Sequence, residues 1–334
     1  MPTPETPAPA PSSRRETLLW IVKITVSAGL LYLLFTRIDV AKVWEHMRDA
    51  SLGWIVFALA IYLVMLLVST WRWQILLRTQ HVEIPFGRLV NSYFAATFAN
   101  NFLPSNIGGD VIRIADTARP AKSKTLAAAV VLADRGIGVV GLGFIAACGS
   151  TIAAHRSEAI GPIGPALFWF GLGAAVLAGV LVIARPERLG TLAKPLHVFH
   201  AEWVGRRIAT ITEALHKFRK APGTIVIAFV ASIVVQALLV GFYVAVATAL
   251  RFSVPIGHMA MLVPVSFLVQ MLPISVNGLG VREGTFVGYL AQIGVSKESA
   301  VALSLIGAVL VMVFSMAGAA AYLTRRTKRG EARE

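Results

Sequence analysis

Eight ionisable side chains fall inside otherwise apolar or broken stretches of this sequence: Lys23, Arg72, Asp110, Arg113, Asp134, Arg135, Arg282 and Glu283. An ionised group in hydrocarbon costs at least about 2.5 kcal/mol even on lenient scales, so each needs a partner or water. Asp110 and Arg113 are three residues apart and share a face on a helix. Asp134 with Arg135, and Arg282 with Glu283, are adjacent pairs. The three acids balance Arg113, Arg135 and Arg282 and leave Arg72 over. Two readings are open. In one, Arg72, Arg113, Arg135 and Arg282 line a cavity and hold a phosphate, whose oxygens the planar guanidinium matches bidentately. In the other, the pairs neutralise one another and clamp their segments, while Arg72 and Lys23 snorkel to the membrane surface. Asp134 or Glu283 could also take up a proton in a coupled cycle.

Two glycine-rich motifs carry three of these charges, Asp110, Arg113 and Arg282, and a fourth, Glu283, follows the second at once. The first is Leu103-Pro104-Ser105-Asn106-Ile107-Gly108-Gly109-Asp110-Val111-Ile112-Arg113. The second is Leu272-Pro273-Ile274-Ser275-Val276-Asn277-Gly278-Leu279-Gly280-Val281-Arg282. Each opens on Leu-Pro, with a Gly five residues after the Pro (Gly109, Gly278) and an Arg nine after it (Arg113, Arg282). The prolines end helices. Gly108, Gly109, Gly278 and Gly280 let backbone N–H groups approach an anion at the start of a half-helix. Asn100, Asn101, Asn106 and Asn277 either contact that substrate or cap the broken helices.

The motifs lie 169 residues apart, from Pro104 to Pro273, about half the chain. The same offset moves an apolar stretch at 52–77 to 221–246, close to one at 223–250, and 125–149 to 294–318, close to one at 300–323. A unit of span, broken hairpin and span therefore occurs twice, at about 52–149 and 223–323. One further span, 163–184, separates the units, so the second enters the bilayer from the opposite side. Inverted repeats with discontinuous helices near the midplane are a transporter architecture.

The elements that must hold these residues are membrane helices. Only 14% of the 334 residues are charged, 56% are hydrophobic, and the mean hydropathy is +0.71. Soluble domains carry roughly a quarter charged residues. Stretches near twenty apolar residues span as helices. They predict an all-α polytopic membrane protein with about six spans (18–36, 52–77, 125–149, 163–184, 223–250 and 300–323) and two re-entrant broken-helix hairpins near 89–107 and 258–293. Residues 1–15 read as a disordered tail, 16–325 as the membrane domain and 326–334 as a basic tail.

Orientation follows from Lys and Arg. Arg14 and Arg15 precede the first span; the 185–222 loop holds eight Lys and Arg against three Glu, a net of +5; the C-terminal tail is basic. Both termini and that loop are expected to be cytoplasmic, on an anionic leaflet. Arg78 and Arg88 before the first hairpin, and Arg113, Arg119, Lys122 and Lys124 after it, put both flanks on that side, so the hairpin enters and leaves there. The net charge of +14 thus sits in loops and implies no nucleic-acid partner. The stretch 201–220, with Trp203, Ile208, Ile211, Leu215 and Phe218 among basic residues, is amphipathic and expected along the leaflet. One cysteine, Cys148, and an isolated His197-x-x-His200 give no disulfide and no metal site, and no cofactor is implied. Five Asp make a two-metal lipid phosphatase hard to assemble, and no D-D-x-x-D run is present.

Trp71-Arg72-Trp73, the 103–113 motif, Asp134-Arg135-x-x-Gly138 and Asn277-Gly-Leu-Gly-Val-Arg-Glu-Gly284 resemble the flippase-like membrane domain family, the lysylphosphatidylglycerol synthase transmembrane region. The resemblance covers roughly 15–325. It implies movement of phospholipid, notably aminoacylated phosphatidylglycerol, between leaflets of the bacterial inner membrane, with related members in hopanoid and glycolipid pathways. Two-part synthases of that family carry a soluble aminoacyl-transfer domain after the membrane part, whereas this sequence stops soon after its last span. The expectation is a non-enzymatic flippase for phospholipid or a lipid-linked substrate. Its runner-up is an accessory protein or enzyme of a lipid pathway. A homo-oligomer or a lipid-synthesis partner docked on the 185–222 loop fits either.

Overall fold

The computed structural model describes residues 25, 29, 32, 36, 40–102, 108–156, 163–187, 197–271, 275 and 278–331. Among them every regular element is a helix. In order they are α1 (Val40–Arg48), α2 (Leu52–Thr79), α3 (Phe86–Phe102), α4 (Gly108–Ala118), α5 (Lys124–Arg156), α6 (Ile163–Ala184), α7 (His197–Lys220), α8 (Pro222–Ala249), α9 (Ile256–Gln270), α10 (Val281–Leu290), a 3₁₀ turn (Ala291–Ile293) and α11 (Lys297–Glu331). Five of these contain stretches long and apolar enough to cross a membrane: α2, α5, α6, α8 and α11. The chain is an all-α, multi-pass membrane protein. Most of the first expected span lies outside the described residues; Thr25, Gly29 and Tyr32 within it are helical and exposed.

Helix starts reproduce the repeat. From α2 to α8 and from α3 to α9 the shift is 170 residues; from α4 to α10 and from α5 to α11 it is 173. Contacts are exchanged in the same way: α3 packs on α11 of the other unit, and α9, its counterpart, packs on α5. Ser51 at the start of α2 donates its N–H to the Ala249 carbonyl at the end of α8 (2.8 Å). Farther along, Ile61 lies against Gly241. These equivalent helices therefore run antiparallel, and the repeat is inverted.

Each broken stretch folds back on itself. The Ser92 hydroxyl of α3 donates to the Asp116 carboxylate of α4 (2.6 Å), and the Gly109 N–H of α4 donates to Asn100 Oδ1 of α3 (2.8 Å). The ring of His258 on α9 bonds the Tyr289 hydroxyl of α10 (2.7 Å). The 11 residues of α4 and 10 of α10 rise only ~15 Å, half the hydrocarbon thickness. A short helix that returns beside its longer partner leaves on the side where that partner entered.

Lipid tails are as apolar as leucine, so close approach rather than water exclusion holds such helices together. Gly149 of α5 and Gly318 of α11, 169 residues apart, make the same crossing in the two units. A methyl on Gly149 would stand 2.5 Å from the backbone of α9 at Met261, and one on Gly318 would run into the Phe94 carbonyl of α3. The largest core gathers Tyr62, Phe242, Tyr243, Phe286, Leu290 and Leu303. A second packs Trp73, Leu76 and Leu77 of α2 against Val130, Val131 and Phe218. Phe218 and Ala214 are thus buried against protein, and the amphipathic face of α7 docks on the helix bundle as well as facing outward.

Candidate functional site

The expected charges gather into two groups, one per unit. In the first, Asp134 of α5 is 1% exposed and sits between two arginines. Arg72 Nε of α2 donates to its Oδ1 (2.8 Å), and Arg113 Nη2 of α4 donates to its Oδ2 (2.6 Å). Arg113 Nη1 also lies 3.7 Å from Asp110 Oδ1, and Asp110 Oδ2 takes Arg135 Nε at 2.5 Å. Three helices thereby join Arg72, Asp110, Arg113, Asp134 and Arg135 into one chain of ion pairs. Arg72 and Arg113 are buried; Arg135, with its side chain 34% exposed, is the end that reaches outward.

Two expectations change here. Arg72 does not snorkel: it is 5% exposed and is a main partner of Asp134. Nor do the adjacent Asp134 and Arg135 pair with each other, since Arg135 turns to Asp110 while Asp134 turns to Arg72 and Arg113; the other adjacent pair, Arg282 and Glu283, does form. The reason is helical: residues one apart point about 100° away from each other, so Asp134 faces the bundle and Arg135 its edge.

The Arg113 guanidinium carbon stands 4.3 Å from the ring centre of Trp73 and 5.0 Å from that of Tyr93. Such contacts stabilise a cation where water is scarce. Trp73 was part of a recognisable motif; nothing in the spacing pointed to Tyr93. Among the ion pairs described, the buried Arg72 and Arg113 balance Asp110 and Asp134, and Arg135 joins them from the edge. The cluster also holds donors with no hydrogen-bond partner among the described residues: Arg72 Nη1, Arg113 Nε and Trp73 Nε1. Gly138, one turn along α5 from Asp134, presents no side chain towards Arg72: a methyl there would lie 3.6 Å from Nη2.

The second group is built differently. Glu283 of α10 is fully buried, and its Oε1 accepts from Nε (3.0 Å) and Nη2 (2.6 Å) of Arg282 beside it. The Ser304 hydroxyl of α11 bonds both residues, accepting from Arg282 Nε (3.0 Å) and donating to Glu283 Oε1 (3.1 Å). Glu283 Oε2 accepts the Gly280 N–H (2.7 Å) and so closes the start of α10. Gly278 and Gly280 have φ of +73° and +82°, left-handed values natural to glycine. This group is neutral and well satisfied.

Two of the glycine amides are therefore taken by the protein's own acceptors and not left open to a substrate. The Gly109 N–H is taken by Asn100, and the Gly280 N–H by Glu283, because buried donors close on the nearest acceptor. Gly108 begins α4, and Asn101, half-buried, lies in the last turn of α3. Asn106 and Asn277 lie outside the described residues. The two groups belong to opposite units, and no contact joins Arg113 to Arg282 among the described residues.

A family model described as the lysylphosphatidylglycerol synthase TM region matches residues 20–319. No curated protein matches the chain.

Proposed function

The chain belongs to the lysylphosphatidylglycerol synthase TM region family, and we propose that it moves a phospholipid or lipid-linked substrate between the leaflets of the bacterial inner membrane. The observation that carries this reading is the buried first cluster, in which guanidinium N–H groups of Arg72 and Arg113 have no acceptor among the described residues. A buried donor on a charged group is costly without an acceptor. A headgroup phosphate supplies such acceptors, and its tetrahedral oxygens accept several N–H bonds at once. Arg72, Arg113 and Arg135 bind the phosphate, with Asp134 and Asp110 as the anions it displaces. Arg282, engaged by Glu283 and Ser304, holds the second hairpin in shape and meets the headgroup from the other unit as the hairpins alternate.

The chain transports rather than transforms its lipid. Asp110, Asp134 and Glu283 are each held in ion pairs with arginine, which suits counter-ions better than a general base. The termini and the loop containing α7 face the cytoplasm, as their basic residues require.

Purified full-length protein reconstituted in liposomes tests the proposal through transbilayer movement of labelled phospholipid. The wild type is expected to accelerate movement. Arg72→Gln and Arg113→Gln should abolish it, and Arg282→Lys should retain part of it. A wild type that moves no lipid class, or an Arg113→Gln variant as fast as wild type, sinks the proposal.

A further inference from the structure

A second basic site lies at the end of α2, apart from the buried cluster. Arg78 stands six residues beyond Arg72 on α2, about 9 Å along the axis. There the end of α2, the last turn of α7 and the first turn of α8 enclose a groove of about 510 Å³, lined among others by Arg78, His81, Lys217, Lys220 and Thr224, with Ile75 as an apolar wall. Among the described residues, no acidic side chain lines it. Glu213, 3.1 Å from Lys217 and mostly exposed, partly offsets one cation from the rim. Arg78, Lys217 and Lys220 against Glu213 leave a net +2, before any proton on His81.

Like charges gathered in one groove repel, and long exposed side chains normally swing apart. Here their backbones cannot separate. The Gln80 side-chain amide donates to the Ala214 carbonyl (3.0 Å), tying the end of α2 to α7. Phe218, between Lys217 and Lys220, is buried in the core with Trp73, Leu76 and Leu77. The scaffold that assembles the cations is apolar and amide-based, and it does not use their charge. The start of α8 adds to the positive field, because its N-cap, Ala221, offers no side-chain acceptor to the first N–H groups.

We infer that this groove is a binding site for a phosphate group at the membrane surface, separate from the buried cluster. An arginine, two lysines, a histidine and a threonine hydroxyl supply the donors that a phosphate needs from several directions. The phosphate belongs to an acidic phospholipid headgroup or to a soluble phosphate; both present the same oxygens.

The test uses the full chain in neutral detergent and the double variant Arg78→Gln/Lys220→Gln, whose sites are exposed and outside both buried groups. Arg88→Gln/Arg119→Gln, also exposed, removes the same charge elsewhere. One arm titrates dioleoyl-phosphatidylglycerol against phosphatidylcholine by native mass spectrometry; the other titrates inorganic phosphate by thermal shift. The groove variant is expected to lose about tenfold or more in affinity, the scale of one charge-assisted hydrogen bond, while the control keeps wild-type affinity. Selective loss in the first arm identifies a lipid headgroup, and loss in the second a soluble phosphate. Wild-type protein that binds neither probe overturns the inference. So does a groove variant that binds both as wild type does, which would assign any lipid bound to the buried cluster instead. Both readouts are of binding, so they stand apart from whether the protein translocates lipid.

Discussion

Asp134→Asn is the sharpest probe of the buried cluster. The substitution preserves shape and removes one negative charge from a carboxylate that is 1% exposed and accepts 2.8 and 2.6 Å bonds from two buried arginines. The buried members, Arg72 and Arg113 against Asp110 and Asp134, go from neutral to a net +1. Breaking a buried pair by removing one partner typically costs ~3–5 kcal/mol, because the other charge stays in low dielectric. Glu213→Gln provides the scale for a surface pair: Glu213 is exposed and meets Lys217 at i,i+4, worth about 0.3–0.5 kcal/mol. Unfolding in detergent, followed by tryptophan fluorescence, reports the difference directly, since Trp73 lies against Arg113. An anionic lipid should then stabilise Asp134→Asn more than wild type, because the phosphate no longer competes with the carboxylate for Arg72 and Arg113. A loss below about 1 kcal/mol would refute the cost assigned to the buried charges. Equal stabilisation of both proteins by lipid would refute competition between Asp134 and phosphate.

Gly138→Ala is expected to separate stability from activity: alanine gains roughly 0.5–1 kcal/mol within a helix, yet its methyl occupies the space 3.6 Å from Arg72 Nη2. Thermal stability should hold or rise while lipid movement in liposomes falls. Gly318→Ala meets the Phe94 carbonyl and should lower stability by about 1–3 kcal/mol, whereas Gly284→Ala, with nothing within 4 Å, should not; unfolding midpoints compare the two. Gly278→Ala, at φ +73° and 2.5 Å from the Gln270 side chain, should reduce folded yield on size-exclusion chromatography. In a Cys148→Ser background, Glu213→Cys should react with an impermeant maleimide only after the cells are opened, and His155→Cys in intact spheroplasts; the reverse pattern would invert the assigned orientation.

Most of the fold was legible because bilayers impose simple lengths. Five of six expected spans agree with helices to within a few residues at most ends, and the offset from Pro104 to Pro273 marks the repeat that the helix starts reproduce. The pairing of charges was not legible. Neighbours in sequence, Asp134 and Arg135, point to different faces of α5, and the partner of Asp134 on α2 lies 62 residues away. Whether Arg72 reached outward or inward depended on the rotation of α2 about its own axis, which no motif fixes when the mean composition of that helix is apolar on all sides. Asn100 as the acceptor for Gly109 was foreseeable in kind, since asparagines near broken helices satisfy freed amides, but its choice depended on how closely α3 and α4 approach.

The two units share an arginine at equivalent positions, Arg113 and Arg282, yet differ in where its counter-ion is attached. Glu283 is the next residue on the same helix, so α10 carries its own neutralising charge wherever it moves. Asp134 belongs to α5, so any displacement of α4 relative to α5 pulls Arg113 from its main carboxylate. Arg72, on α2, stays with or leaves Asp134 according to which helix shifts. Motion of the second hairpin therefore disturbs chiefly the Ser304 hydrogen bonds, about 0.5–1.5 kcal/mol each. Motion of the first separates buried ions, at ~3–5 kcal/mol unless another anion enters. An anionic headgroup is such an anion. It would lower the cost of moving the hairpin that binds it and leave the other nearly unaffected, which ties movement to occupancy in one unit while the other serves as a neutral partner. A chain with Asp134 and Ile114 exchanged, so that the acid follows Arg113 as Glu283 follows Arg282, should lose that dependence: its first hairpin would carry its own counter-ion, and lipid phosphate would no longer stabilise the protein above its effect on an uncharged detergent control.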